Sequence, residues 1–290
     1  MIKLKTFGSF TVGNGLTSVQ EGAWRSEKLE KLFVYLAMNR NRGVCIEDIS
    51  EAIWQVEEET DNPVGALKNL AYRLRKALRD ASFGEECIVS VRGGLYKWND
   101  DVEVTIDVEE FDRYINEAEM AFCRSKETAI ESYEKAIALY HGDFLPLRTD
   151  THWFMTLNAF YHSRYVNTVK ALAKLYIDTG CYEKLEQLCT RAIVYERSDE
   201  QIYSYLIVAR MRTKKVQMAF DTYETAKAIM DKDLGVRKTV MLNKVYEELL
   251  SVTKGASSYN IDEVKDDISE ESMNGVFMCG YPVFKEIYQL

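Results

Sequence analysis

"LKNLAYRLRKALRD", residues 67–80, is the stretch on which the fold of this 290-residue chain turns. At 100° per residue, Leu67, Leu70, Ala71, Leu74 and Leu78 fall within roughly 60° of one direction, the apolar stripe of a helix that faces a core. Gly65, Asn69, Tyr72 and Lys76 point directly away, with Lys68 and Arg79 on one shoulder and Arg73 on the other. A basic helix face is more often simply solvated than functional. Its surroundings decide which it is.

Upstream, Pro63 suits the first helical position, where a missing N–H costs nothing. An acidic loop, "QVEEETDN", separates it from a short helix, "CIEDISEAIW", with Ile46, Ile49, Ile53 and Trp54 inward. Before that, "RSEKLEKLFVYLAMNR" places Leu29, Leu32, Phe33, Leu36 and Ala37 at helical spacing, with Ser26 as N-cap and Gly43 as terminator. The first twenty residues alternate and predict a small antiparallel sheet, with Asn14-Gly15 suited to a two-residue hairpin. Downstream, "ECIVSVRGGLYKWND" predicts a hairpin with Arg92 at a basic tip and Leu95, Tyr96 and Trp98 on its second strand. Sheet, three helices and hairpin within residues 1–100 is the plan of an α+β winged helix-turn-helix, whose last helix enters the major groove with the hairpin wing alongside.

"NPVGALKNLAYRLRKAL" followed by "IVSVRGGLYKW" resembles the recognition helix and wing of the OmpR/PhoB-type DNA-binding domain. Arg73, Leu74, Arg75, Lys76, Leu78, Val91, Arg92, Gly93 and Tyr96 match its pattern. The wing is one residue shorter than usual between Gly93 and Tyr96, and Asn69 and Leu70 stand where an apolar residue and a His are common. The second departure implies a target sequence of its own.

The charge distribution agrees with this reading although the net charge of −9 opposes it. Residues 1–100 hold 14 Lys+Arg against 14 Asp+Glu, so the whole deficit is C-terminal. Within 62–98 there are seven bases and three acids, a local stripe able to meet phosphate. Six scattered cysteines without C-x-x-C or metal spacing argue for neither a disulfide framework nor a metal site. No run approaches the ~18 apolar residues of a membrane span, and the start is too polar for a signal peptide, so a cytoplasmic protein is expected. Three histidines (141, 152 and 162), no G-x-S-x-G, no phosphate loop and no dinucleotide fingerprint leave no catalytic residues and no cofactor to propose.

From Ile106 the chain is helical by period. Laying 171–195 over 205–229, an offset of 34, aligns Leu172 with Leu206, Thr179 with Thr213, Leu185 with Ala219, Cys189 with Tyr223 and Ala192 with Ala226, while Gly180 becomes Lys214. This predicts an all-α, tetratricopeptide-like domain over 106–252. "ALYHGDFLP", "LAKLYIDTGCYEKLEQLCTRAI" and "DKDLGVRKTVMLNKVYEEL" resemble the bacterial transcriptional activator domain, with Arg237-Lys238 in place of the family's Pro-Ser. Winged helix plus this domain is the layout of the antibiotic regulatory protein (SARP) family of activators, which the chain resembles over about residues 1–252. Residues 253–290 read as an acidic linker and a partial segment that either docks on the helical domain or, as the preferred reading, is the start of a truncated third domain.

A sequence-specific DNA-binding transcriptional activator is therefore expected, with Lys68, Asn69, Tyr72, Arg73, Lys76, Arg79 and Arg92 at the DNA and Arg75 holding a phosphate or an acid of its own domain. The resemblance implies that the helical domain makes dimer contacts, that protomers sit on direct repeats, and that RNA polymerase is a partner. A groove on the helical domain that takes a peptide or small molecule is a further expectation. The rival reading is a protein-interaction adaptor or ligand sensor whose winged helix serves dimerisation.

Overall fold

The computed structural model describes residues 1–55, 62–83, 87–91, 94–234 and 239–253. Two compact units divide it, Met1–Met120 with Lys135–Ser163, and Ala121–Glu134 with the described residues from Arg164.

In the first unit, β1 (Ile2–Lys5), β2 (Thr11–Gly13) and β3 (Ser18–Gln20) form an antiparallel meander. Gly13 pairs with Ser18, so the connection has four residues, 14–17, and not the two expected. The side chain of Asn14 explains the longer loop, because its Oδ1 accepts from the N–H groups of Leu16 (3.0 Å) and Thr17 (2.9 Å) and closes an Asx turn. Three helices follow: α1 (Glu27–Met38), α2 (Ile46–Ile53) and α3 (Pro63–Asp80). Ser26 occupies the N-cap of α1 without a side-chain bond, and the helix ends at Asn39, whose amide donates to the Tyr35 carbonyl at 2.8 Å. Gly43, expected as the terminator, lies beyond that end, where a Cβ would come within 3.1 Å of Leu95. On α2, Ile49, Ala52 and Ile53 are buried, whereas Ile46 and Trp54 are half-buried.

β4 (Ile88–Val91) and β5 (Leu95–Trp98) pair antiparallel as the expected hairpin. Trp98 is buried against Phe33 of α1, with ring centroids 5.4 Å apart. A further strand, β6 (Val104–Ile106), runs parallel to β1 and completes the sheet in the order β3-β2-β1-β6. The sheet is thus not wholly antiparallel. Its parallel edge uses the three helices and the hairpin as the crossover that a parallel pair requires.

Helix α4 (Asp107–Phe122) begins where β6 ends. The buried Asp107 carboxylate accepts from the Thr6 N–H (2.9 and 2.8 Å), the Thr6 hydroxyl (2.7 Å), and the N–H groups of Phe7 (2.9 Å) and Val108 (2.9 Å). It fastens the end of β1 to the start of α4. Phe7 then packs on Phe111, Tyr140 and Tyr161, with centroids 5.2, 4.9 and 5.7 Å away. The "HGDFLP" stretch after α5 (Lys126–Leu139) returns to the same strand end: Gly8 N–H donates to the Asp143 carbonyl (2.9 Å) and Leu145 N–H to that of Thr6 (2.9 Å). At Gly8, φ is +82° and a Cβ would lie 2.6 Å from the His141 carbonyl oxygen, so only glycine fits.

Charged groups hold α1 to the residues just before α6 (His152–Asp178). Arg148 pairs with Glu30, both buried, and reaches Glu21 at 3.2 Å. Lys31, 2% exposed, pairs with Asp150, which also accepts from Gln55 at 2.9 Å.

The second unit contains α7 (Tyr182–Tyr195), α8 (Glu200–Arg212), α9 (Val216–Ile229), a π-helical turn (Met230–Leu234) and α10 (Val240–Thr253). The 34-residue period holds in detail. Leu172, Leu206, Leu185, Ala219, Cys189, Tyr223, Ala192 and Ala226 are all buried, and Thr179 and Thr213 each donate a hydroxyl to the carbonyl four residues back, at 2.7 and 3.0 Å. Gly180 and Lys214 both take the left-handed conformation, φ +71° and +62°. The helical part is tetratricopeptide-like. Lys214 adopts a conformation that disfavours any residue with a Cβ, so Lys214→Gly is expected to raise the stability of this unit by about 0.5–1 kcal/mol in urea denaturation. The Arg237-Lys238 pair and the tail from Lys254 lie outside the described residues.

Candidate nucleic-acid interface

Helix α3 begins with Asn62 as N-cap, its Oδ1 accepting from Gly65 N–H at 2.9 Å, and Pro63 in the first turn. Pro63 stands where expected; the Asn62 cap was not among the expectations, although an Asn directly before a first-turn Pro is a start signal. The buried residues of α3 are Leu67, Leu70, Ala71, Leu74 and Leu78, the five on its apolar stripe. Lys68, Asn69, Tyr72, Arg73, Lys76 and Arg79 are exposed, Tyr72 at 63%. Among the described residues none of the six has a side-chain hydrogen bond or ion pair within the protein. No acid lies between Asn62 and Arg79. Gly65, which the period turned outward, is half-buried beneath the Asn62 amide.

Two further bases of the 62–98 stretch have partners within the protein. The Arg75 guanidinium donates through Nε to the Ile88 carbonyl at 3.1 Å, tying α3 to the first strand of the hairpin. Lys97 pairs with Asp100 at 2.5 Å. Arg92, expected at the tip between β4 and β5, lies outside the described residues. Between β1–β3 and the end of the helix, Asn14 Nδ2 donates to the Ser82 carbonyl (3.0 Å) and the Thr17 hydroxyl to the Ala81 carbonyl (3.0 Å).

An α-helix bearing unpaired basic and amide groups, side by side on one exposed face, offers the donors that phosphates and base edges accept: Arg for guanine, Asn for adenine, Lys for phosphate. No described helix is long and apolar enough to cross a membrane.

Comparison with known proteins agrees in sequence and in fold. The family model of the bacterial transcriptional activator domain matches residues 106–250, half of the chain. The transcriptional regulator RedD of Streptomyces coelicolor is 23% identical over 238 residues, covering 81% of this chain and 67% of that protein. Among solved structures, Mycobacterium tuberculosis EmbR, in a complex with a low-affinity phosphopeptide, superposes with a TM-score of 0.68 at 18% identity, covering 95% of this chain and 70% of EmbR. The EmbR likeness carries the fold alone: a small sheet of four strands followed by helices. With half of its residues matched by the family model, the chain belongs to the bacterial transcriptional activator domain family and is a transcriptional regulator of the antibiotic regulatory protein type.

Proposed function

We propose that the chain binds specific double-stranded DNA with residues 1–100 acting as a winged helix-turn-helix, and activates transcription by recruiting RNA polymerase through the domain at 106–252. The observation that carries this is the α3 face: Lys68, Asn69, Tyr72, Arg73, Lys76 and Arg79 exposed together, unpartnered among the described residues, on a helix anchored by five buried side chains. In this reading Asn69, Tyr72, Arg73 and Lys76 meet base edges and phosphates, Lys68 and Arg79 flank them, and Arg92 reaches the backbone or minor groove beside α3. Two protomers occupy direct repeats of the cytoplasmic chromosome, with the helical domain supplying the dimer contact and, where a signal acts, the groove for a peptide or small molecule.

Selection of bound genomic fragments by the purified protein, followed by footprinting, tests the reading. A protected pair of similarly oriented half-sites is expected, and fragments recovered without any common sequence would overturn it. Arg92→Ala is expected to weaken binding to all sequences and to lower the slope of log affinity against log salt by about 1, the value for one lost phosphate contact. An unchanged slope would remove Arg92 from the interface.

A further inference from the structure

We propose that Asn14 and Thr17, on the turn between β2 and β3, are positioning residues for DNA reading: they fix the angle at which α3 is presented. The proposal rests on the reading above, in which α3 is the recognition helix.

The end of α3 needs such partners. The last carbonyls of a helix have no intrahelical donor, and here the chain leaves α3 through Ser82 at φ +60°, with Phe83 N–H returning to the Leu78 carbonyl at 3.0 Å. The N–H groups of Ala81, Ser82 and Phe83 serve the carbonyls of Ala77, Arg79 and Leu78, and the Ala81 and Ser82 carbonyls just past the helix take their donors from the sheet. Thr17 donates to the first and Asn14 to the second, each at 3.0 Å, across 64 and 68 residues of sequence. Asn14 does two jobs with its two ends. Its Oδ1 holds its own turn by accepting from Leu16 and Thr17 N–H, and the Nδ2 so oriented donates to α3. Thr17 has one hydroxyl proton; given to Ala81, it leaves the 3.2 Å approach to Asn14 Oδ1 as a secondary contact. From another side, Arg75 Nε binds the Ile88 carbonyl. Sheet and hairpin therefore grip the C-terminal half of the helix from separate elements.

Geometry makes that grip matter. Eighteen residues at 1.5 Å rise span about 27 Å, so a tilt of about 5° shifts one end relative to the other by roughly 2 Å. Bidentate contacts to base edges tolerate about 0.5 Å, whereas a point charge on a phosphate tolerates more. Loosening the grip should thus erode discrimination between sequences before it erodes attraction to DNA.

The test uses the full-length protein with Asn14→Asp combined with Thr17→Val. Asp keeps the oxygen that closes the turn and loses the Nδ2 donor; Val keeps the shape of Thr and loses the hydroxyl. Affinities for the footprinted fragment and for a scrambled one of equal length are measured at fixed salt. The expected result is about a tenfold fall in the ratio of specific to non-specific affinity, with the non-specific affinity and the salt slope unchanged. Thr17→Ser alone, which retains the donor, is expected to match the parent. Equal loss on both fragments, or a ratio equal to that of the parent, overturns the proposal. Should the double variant fail to fold, Thr17→Val alone decides, with the same ratio expected to fall by a smaller factor and an unchanged ratio overturning it. If the parent itself shows no preference between fragments, the DNA reading fails and takes this proposal with it, whereas a selective parent with an equally selective variant removes only the positioning role.

Discussion

Arg148→Ala is expected to lower the stability of the first unit by about 3–5 kcal/mol, the cost of leaving one member of a buried ion pair without its partner. Arg148 is 4% exposed and Glu30 2%. With the arginine gone, Glu30 keeps a single donor among the described residues, Gly22 N–H at 2.7 Å, for a carboxylate that is 2% exposed. The converse change is milder. Glu30→Gln leaves Arg148 beside Glu21 at 3.2 Å and Glu27 at 3.7 Å, both more exposed than Glu30, and is expected to cost about 1–3 kcal/mol. Removing both charges with similar volume, Glu30→Leu with Arg148→Met, should recover most of the loss. All four tryptophans, Trp24, Trp54, Trp98 and Trp153, belong to this unit, so tryptophan fluorescence during urea unfolding reports on it selectively. An unshifted midpoint for Arg148→Ala would mean that the pair contributes nothing beyond its surroundings.

Asn69→Ala and Arg73→Ala carry the second large effect, about 1–3 kcal/mol each, or roughly 5- to 150-fold in affinity for the footprinted fragment. Each removes a side chain able to make two hydrogen bonds to one base, and a base left with unpaired groups in a desolvated groove resists replacement by water. Neither change should unfold the protein, because both residues are exposed and unpaired among the described residues. Both should relax specificity at one position of the site while leaving the other positions discriminated. Lys76→Ala, which deletes a charge and no bidentate contact, should weaken binding more evenly across sequences.

Much of this was legible from sequence wherever one local period governs. The five buried residues of α3 follow from 3.6-residue spacing alone. The second unit follows from a 34-residue repeat that even identified Lys214 as the counterpart of Gly180; what sequence could not tell is that Lys214 takes the left-handed turn regardless, because a repeat imposes backbone geometry on whichever residue occupies it. Legibility fails where partners are distant. Lys31 reads as a solvated lysine on a polar face, yet Asp150, 119 residues away, closes over it. Asp107 reads as an acidic start to a helix, but is the buried acceptor for Thr6 and Phe7, which leave the neighbouring strand at the same end of a parallel pair. β6 has only three residues, too few to register a period. Asn14 announced a turn, and the turn is there. Its second bond, to Ser82, depends on a helix end that local pattern cannot locate.

The hairpin expected around the Arg-Gly-Gly tip is present as the antiparallel pair β4 and β5. Tyr96 and Trp98 are buried on its inner face, and Val44 bridges Tyr96 through paired N–H to O contacts of 2.7 and 2.9 Å. Burial of two aromatics fixes the hairpin's orientation to α1, and Arg75 fixes α3 to the hairpin. In the proposed function, reading helix and wing are thereby supported by one core.

The most direct test of the central claim, that the exposed face of α3 reads DNA, is a titration of the footprinted fragment with the parent and Arg73→Ala at moderate salt, beside a scrambled fragment. The predicted result is tight, selective binding by the parent and a loss of about 5- to 150-fold for Arg73→Ala on the footprinted fragment, with a much smaller loss on the scrambled one. Equal affinity of the two proteins for the footprinted fragment would contradict it.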